Sequence, residues 1–229
     1  MLIDAGNVED GSKIAETIKS YGIQKIDYLI GTHIHEDHIG GMEKIVEEFE
    51  IGTIYLPYNQ TSTAKYYERL LTAIQAKGLK LTKVEVGETF QIGNATCEVK
   101  AVDHTEPDEP NNASIVIQMN YQEHQYLFMG DAEKKVEEAR TWEDVDVLKV
   151  GHHGSSTSSS QAFLDQIKPE IAIIQVGEGN SYGLPKEEIL NRFEQMGSKI
   201  YRTDEDGTIH LIDQGEKIVI ETVPISCDG

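Results

Sequence analysis

Thr32-His33-Ile34-His35-Glu36-Asp37-His38-Ile39-Gly40-Gly41 places three imidazoles and a carboxylate at four of six consecutive positions, directly after the apolar run 26–30. The run reads as a buried strand, so any fold for this chain must bring that strand end to a place where metal-ligating side chains can gather. On the loop leaving the strand, His33 and His35 lie two residues apart and both rings can turn toward one ion. Asp37 and His38 lie further along and can reach a second. Neutral imidazole combined with carboxylate suits a borderline divalent cation, zinc first, with manganese or iron as substitutes. Gly40 and Gly41 read as a tight turn at positive φ into the following helix.

Around that loop, strand and helix patterns alternate. Leu2 and Ile3 lead to a glycine turn at Gly6, and Ile14, Ile18 and Tyr21 share one face of a helix over 12–21 that ends at Gly22. Strand 26–30, helix 42–49, strand 53–56, helix 64–77 and strand 81–86 complete a first half. A second half repeats the theme. Its strands are predicted over 96–102, 114–119, 125–129, 145–150, 171–176, 199–202, 208–212 and 217–222, and its helices over 133–140, 160–167 and 186–196. Two such halves predict an α/β fold, a four-layer αβ/βα sandwich in one domain over 1–229, with ligand loops at one sandwich edge.

Two further strand ends carry chemistry. Strand 125–129 ends in Gly130-Asp131, a carboxylate able to bridge two cations. Immediately before helix 133–140, Asp131 also reads as an N-cap; beside the His loop, the metal reading is preferred. Strand 145–150 ends in Gly151-His152-His153-Gly154-Ser155-Ser156. One imidazole there completes the second ion's shell and the other serves as proton donor; His152 is read as the ligand and His153 as the donor. The hydroxyls and amides of Ser155, Ser156 and Thr157 suit phosphate oxygens, or simply form a polar turn. His104 is either a third ligand of the first ion or a loop histidine whose place Asn112 or a water takes. Asn180 and Tyr182, after strand 171–176, are candidates for substrate contact or an exposed turn. His124 and His210 read as surface or packing residues.

Composition narrows the partners. With 40 acidic against 20 basic residues, the formal charge of −20 excludes nonspecific attraction to nucleic acid or anionic membrane over most of the surface. Lys149, Lys199 and Arg202 are too few to establish a basic groove. No stretch approaches the roughly 20 apolar residues of a membrane span, and no signal segment opens the chain. A cytoplasmic protein is expected as the chain stands, and an extracytoplasmic one if a further segment precedes residue 1. Cys97 and Cys227 form no C-x-x-C pair and are read as incidental.

Taken together, these residues resemble the metallo-β-lactamase fold superfamily over nearly the whole chain. More narrowly, Leu2-Ile3-Asp4-Ala5-Gly6, the His33 motif, Asn111-Asn112-Ala113-Ser114, Phe128-Met129-Gly130-Asp131-Ala132, the block 148–155 and Asn180-Ser181-Tyr182-Gly183-Leu184-Pro185 resemble the metallo-hydrolase domain of ComEC DNA-uptake proteins. The phosphorylcholine esterase domain of teichoic-acid-modifying enzymes is a more distant relative. By that resemblance the chain begins after the family's first strand, and it carries Leu184 where the family often has histidine. The resemblance implies a competence-related hydrolase of phosphoester bonds using a metal-bridging hydroxide and two divalent ions, with Asp37 orienting the nucleophile. A single-stranded DNA nuclease, a choline-phosphate or other small phosphoester hydrolase, and a non-catalytic metal-stabilised binding module are the competing readings. A true β-lactamase is disfavoured, because a strand-delivered Asp131 suits a bridging role that zinc β-lactamases lack.

Overall fold

Short apolar runs separated by amphipathic helices give parallel strands in the first part of the chain. The computed structural model describes residues 1–106 and 108–224. The residues cluster into two compact units, the first being Met1–Glu88 with Val99–Ile115. In it, β1 (Leu2–Ile3), α1 (Asp10–Ser20), β2 (Lys25–Ile30), α2 (Glu36–Ile39), α3 (Met42–Glu48), β3 (Glu50–Tyr55), α4 (Lys65–Ala76) and β4 (Leu81–Thr82) follow in order. The strands form a parallel sheet in the order β1-β2-β3-β4. Ile26, Leu29 and Ile30 of β2 are buried while Lys25 and Asp27 are exposed. Leu29 joins Ile39, Met42, Ile45, Ile54, Leu70 and Ile74 in one core. The strand predicted over 81–86 shortens to two residues.

The second unit, Thr89–Glu98 with residues from Val116 onward, contains β5 (Thr89–Ile92), β6 (Ala95–Ala101), β7 (Val116–Tyr121), β8 (His124–Phe128), α5 (Lys134–Glu138), β9 (Val147–Lys149), α6 (Gln161–Ile167), β10 (Ile171–Ile174), α7 (Glu187–Met196), β11 (Lys199–Arg202), α8 (Thr203–Asp206), β12 (Thr208–Asp213) and β13 (Ile218–Val223); β6 runs on into the first unit. The sheet order is β11-β10-β9-β8-β7-β6-β5, with β8 to β11 parallel. Because strand side chains alternate, Ile171 and Ile173 of β10 face the β12–β13 hairpin, packing with Tyr126, Val147, Leu211 and Ile220. Among the described residues no helix is long and apolar enough to cross a membrane. Cys97 is a buried free thiol, and Cys227 lies outside the described residues.

Asp213 latches the hairpin to the sheet. Its Oδ2 accepts from the Tyr126 hydroxyl at 2.7 Å and faces His124 Nδ1 at 3.0 Å, and its Oδ1 accepts the Gly215 N–H at 2.8 Å. His124 is thus a packing residue. Burial alone would raise this carboxyl, but the Tyr126 hydroxyl, the Gly215 N–H and the His124 ring outweigh it and hold the group below its ordinary 3.8. A depressed folded-state value means that the stabilisation is complete above 3.8 and is lost as pH falls through the lower value. Asp213→Asn is expected to lower Tm by a few degrees at neutral pH and to flatten the acid side of the Tm–pH profile. A profile superimposable on wild type would mean the latch contributes nothing.

Candidate functional site

Parallel strands present their carboxyl ends on one edge of a sheet, which is where open α/β sheets place ligand loops. In the first unit, β1 and β2 pair with Ile3 opposite Ile30, so Asp4 and the Thr32–His38 loop leave the sheet side by side. Buried Ile34 and Ile39 anchor the loop in the core. His35 caps α2, whose single turn carries Asp37 and His38. His33 and His38 are buried, with ring centroids 4.1 Å apart, and His35 and Asp37 are exposed. His33 Nε2 lies 3.0 Å from His35 Nδ1, and Asp37 Oδ2 lies 3.7 Å from His38 Nε2.

Asp4 organises these rings, a role the sequence reading did not give it. Its Oδ1 accepts the Thr32 N–H at 2.8 Å; its Oδ2 accepts the Thr32 hydroxyl at 2.9 Å and the His38 Nδ1–H at 2.7 Å. With its hydrogen given to Asp4, the Thr32 oxygen accepts from His33 Nδ1 at 3.2 Å. Both Nδ1 atoms are thereby committed, so the lone pair of each ring sits on Nε2, the atom that in His33 faces His35 Nδ1 at 3.0 Å. Burial works to raise the Asp4 carboxyl, but the His38 ring and the Thr32 N–H overcome it and hold the group below its ordinary range. The only trace of it in the sequence is slight: Asp4 directly follows an apolar strand, as Asp131 follows one after Gly130, and each precedes an alanine.

The glycines of the motif serve a different purpose from the one expected. Gly40 and Gly41 have helical φ values of −56° and −79°. What excludes a side chain is proximity: a Cβ on Gly41 would lie 2.2 Å from the Ala5 carbonyl oxygen, where β1 passes close behind the loop.

In the second unit, β8 and β9 run parallel with Phe128 opposite Lys149, so Asp131 and His152 each lie three residues past paired positions. The His152 N–H bonds the Gly130 carbonyl at 3.1 Å. Asp131 is buried, and its Oδ2 faces His153 Nε2 at 3.4 Å and His152 Nε2 at 3.9 Å. α5 begins at Lys134 with Glu133 at its N-cap, so the capping alternative for Asp131 does not hold. His153 Nδ1 donates to the Gln175 carbonyl at 2.7 Å, which leaves its Nε2 lone pair toward Asp131. His152 Nδ1 meets Thr157 Oγ1 at 2.8 Å and Glu133 Oε1 at 3.1 Å. His152, His153 and Gly154 adopt left-handed φ values of 45°, 51° and 78°. At Gly154 a Cβ would also lie 2.6 Å from Pro185 Cβ.

Other predicted residues are placed differently. His104 Nδ1 receives the Tyr58 N–H and its Nε2 bonds the Val84 carbonyl at 2.7 Å, so the ring spans backbone of the first unit rather than joining His33 and His38. Asn180 closes its own loop, accepting the Leu184 N–H at 3.0 Å and donating to the Leu184 carbonyl at 2.8 Å. Tyr182, on that loop, is 79% exposed. Ser155 Oγ accepts from Thr157, while Ser156 is half-buried beside it. Lys149 reaches the Gly130 carbonyl.

Imidazoles with committed Nδ1 atoms, together with strand-end carboxylates, are the donors of a divalent-metal-dependent hydrolase. Residues 1–178 match the model of the metallo-β-lactamase superfamily, and the chain belongs to that family, with its α/β four-layer sandwich fold. It is similar to ComE operon protein 3 of Bacillus subtilis, at 33% identity over 82% of this chain and 25% of that one. It is also similar to Recombination protein 2 of Haemophilus influenzae, at 30% identity over 92% and 26% respectively. The chain therefore spans about a quarter of the length of these relatives. Among solved structures, the metallo-β-lactamase fold protein YhfI from Bacillus subtilis aligns with a TM-score of 0.55 at 13% identity, covering 87% of this chain and 82% of that one.

Proposed function

We propose that the protein holds two divalent ions, zinc before manganese or iron, and hydrolyses phosphoester bonds. The candidate donors are His33, Asp37 and His38 in the first unit and Asp131 and His153 in the second. His35 is available to complete a shell. The observation that carries the reading is the commitment of Nδ1 in His33, His38 and His153 to hydrogen bonds, which puts the lone pair of each ring on Nε2. Bound there, two cations would lower the pKa of a water and neutralise charge developing on phosphoryl oxygens.

The chain's own groups supply the rest. Asp37, exposed at the start of α2, is placed to take a proton from the attacking water. The fixed tautomer of His153 supports ligation, which reverses the assignment favoured from sequence and leaves His152, with Glu133 and Thr157 on its Nδ1, as the proton donor to the leaving oxygen. Ser155 and Ser156 on the adjoining turn are candidate phosphate contacts, and exposed Tyr182 is a candidate contact for the rest of the substrate. By resemblance to ComEC domains, a competence-related nuclease on single-stranded DNA is the second reading, but a net charge of −20 disfavours long polyanions.

Elemental analysis after zinc or manganese loading is expected to find two ions per chain, and chelation to abolish turnover of a small phosphodiester. At most one ion would overturn the binuclear centre. Two ions without turnover of phosphomonoesters, phosphodiesters, choline-phosphate esters or DNA would favour a binding module, and turnover of β-lactams alone would reverse the substrate class. Tight DNA binding at physiological salt with a steep salt dependence would promote the nuclease.

A further inference from the structure

Glu137 is a fully buried carboxylate that no step above uses. It sits in α5, and its two oxygens accept the consecutive backbone N–H groups of Ser159, at 2.5 Å, and Ser160, at 2.9 Å. From the other side, Arg192 of α7 donates Nη1 to the Ser159 carbonyl at 2.8 Å. Ser159 is thus held through both its N–H and its C=O by opposite charges, at a left-handed φ of 53°.

The grip continues into the metal loop. The adjacent Ser158 donates its hydroxyl to the Gly151 carbonyl at 2.8 Å, and Gly151 immediately precedes His152. His152 and His153 are non-glycine residues in left-handed backbone, a conformation that persists only where the surroundings over-determine it. At the far end of the turn the Lys186 N–H holds the Gly154 carbonyl at 2.9 Å. Ser160 begins α6 as its N-cap, so the clamp joins a helix start to the loop.

We propose that Glu137 and Arg192 are positioning residues: by clamping the Ser159 peptide groups from opposite sides they hold the left-handed His152–His153 turn in its ligating geometry. The inference rests on the reading of that turn as part of the metal centre. Burial pushes the Glu137 carboxyl above its ordinary range despite its N–H donors. A group kept buried against that penalty and paired so specifically differs from a solvated helix acid.

The test uses the full chain, with Glu137→Gln, Arg192→Met, the conservative Arg192→Lys, and Trp142→Phe as control. Trp142→Phe removes the Trp142 Nε1–H bond to the Glu137 carbonyl, disturbing the same helix while sparing the clamp. In metal-free protein, the Ser155 and Ser158 amides, which bond within the turn, are expected to exchange roughly 10-fold or more faster in Glu137→Gln and Arg192→Met, with β8 to β10 unchanged. With zinc, the same two variants should weaken one of the two ions by roughly 10-fold or more. Arg192→Lys should keep both properties near wild type. Wild-type exchange rates in both clamp variants would overturn the proposal, as would a Trp142→Phe protein of matched Tm loss that loses the same ion. If the wild type takes up no zinc, the metal reading fails while the exchange rates still decide the clamp.

Discussion

Replacing Asp131 by asparagine is expected to empty most of the metal centre and to lower turnover by about 10² or more, at little cost in melting temperature. Asparagine has the same shape, so the strand end, Gly130 and the His152 turn keep their packing. What disappears is a buried negative charge facing two imidazole nitrogens at 3.4 and 3.9 Å. A helix cap is worth only about 1 kcal/mol, and asparagine caps as well as aspartate, so a hundredfold loss could not come from capping even if α5 began two residues earlier. Metal-free Asp131→Asn should melt close to the wild-type temperature, because the amide keeps the shape of the side chain. Metal content, Tm and turnover measured together distinguish these outcomes. Two ions and near-wild-type turnover in the variant would remove Asp131 from the centre.

That residue also shows what the sequence made legible. Asp131, His152 and His153 could be placed because apolar strands end abruptly in glycine followed by ligating side chains, and parallel neighbours deliver such ends to one edge. The same logic applied to the His33 motif. Roles set by contacts distant in sequence were not legible. Asp4 reads as the tail of a two-residue strand until the register Ile3 to Ile30 brings it against Thr32 and His38. Gly40 and Gly41 read as turn formers, whereas the constraint on Gly41 is the close passage of Ala5. Asn180 and His104 carry side chains suited to substrate or metal, yet both are engaged by nearby backbone, which composition and spacing do not encode. The strand over 81–86 was overextended because an apolar alternation says nothing about how long a neighbour remains to pair with.

Asp4→Asn is expected to weaken metal binding by roughly 10- to 100-fold without unfolding the protein, because it changes a tautomer rather than a ligand. Asp4 has a left-handed φ of 59°, a region asparagine tolerates as well as aspartate, so the backbone need not move. The amide oxygen can still accept the Thr32 N–H. At the second position, an N–H₂ now confronts the Thr32 hydroxyl and His38 Nδ1, both of which were donors to Oδ2. The least costly response is for His38 to shift its proton to Nε2 and accept at Nδ1, which removes the lone pair that a cation needs. Losing this charge-assisted bond should cost about 1.5–3 kcal/mol of stability at neutral pH. Because the Asp4 carboxyl is held below its ordinary 3.8, its stabilisation is complete above that value and is lost as pH falls through the lower folded one. The variant should lack that acid-side loss. Nitrogen-15 spectra of the histidine rings in metal-free protein report the tautomer directly, and zinc titration reports the affinity. A variant whose His38 keeps its proton on Nδ1 and whose zinc affinity is unchanged would show that Asp4 only braces the loop.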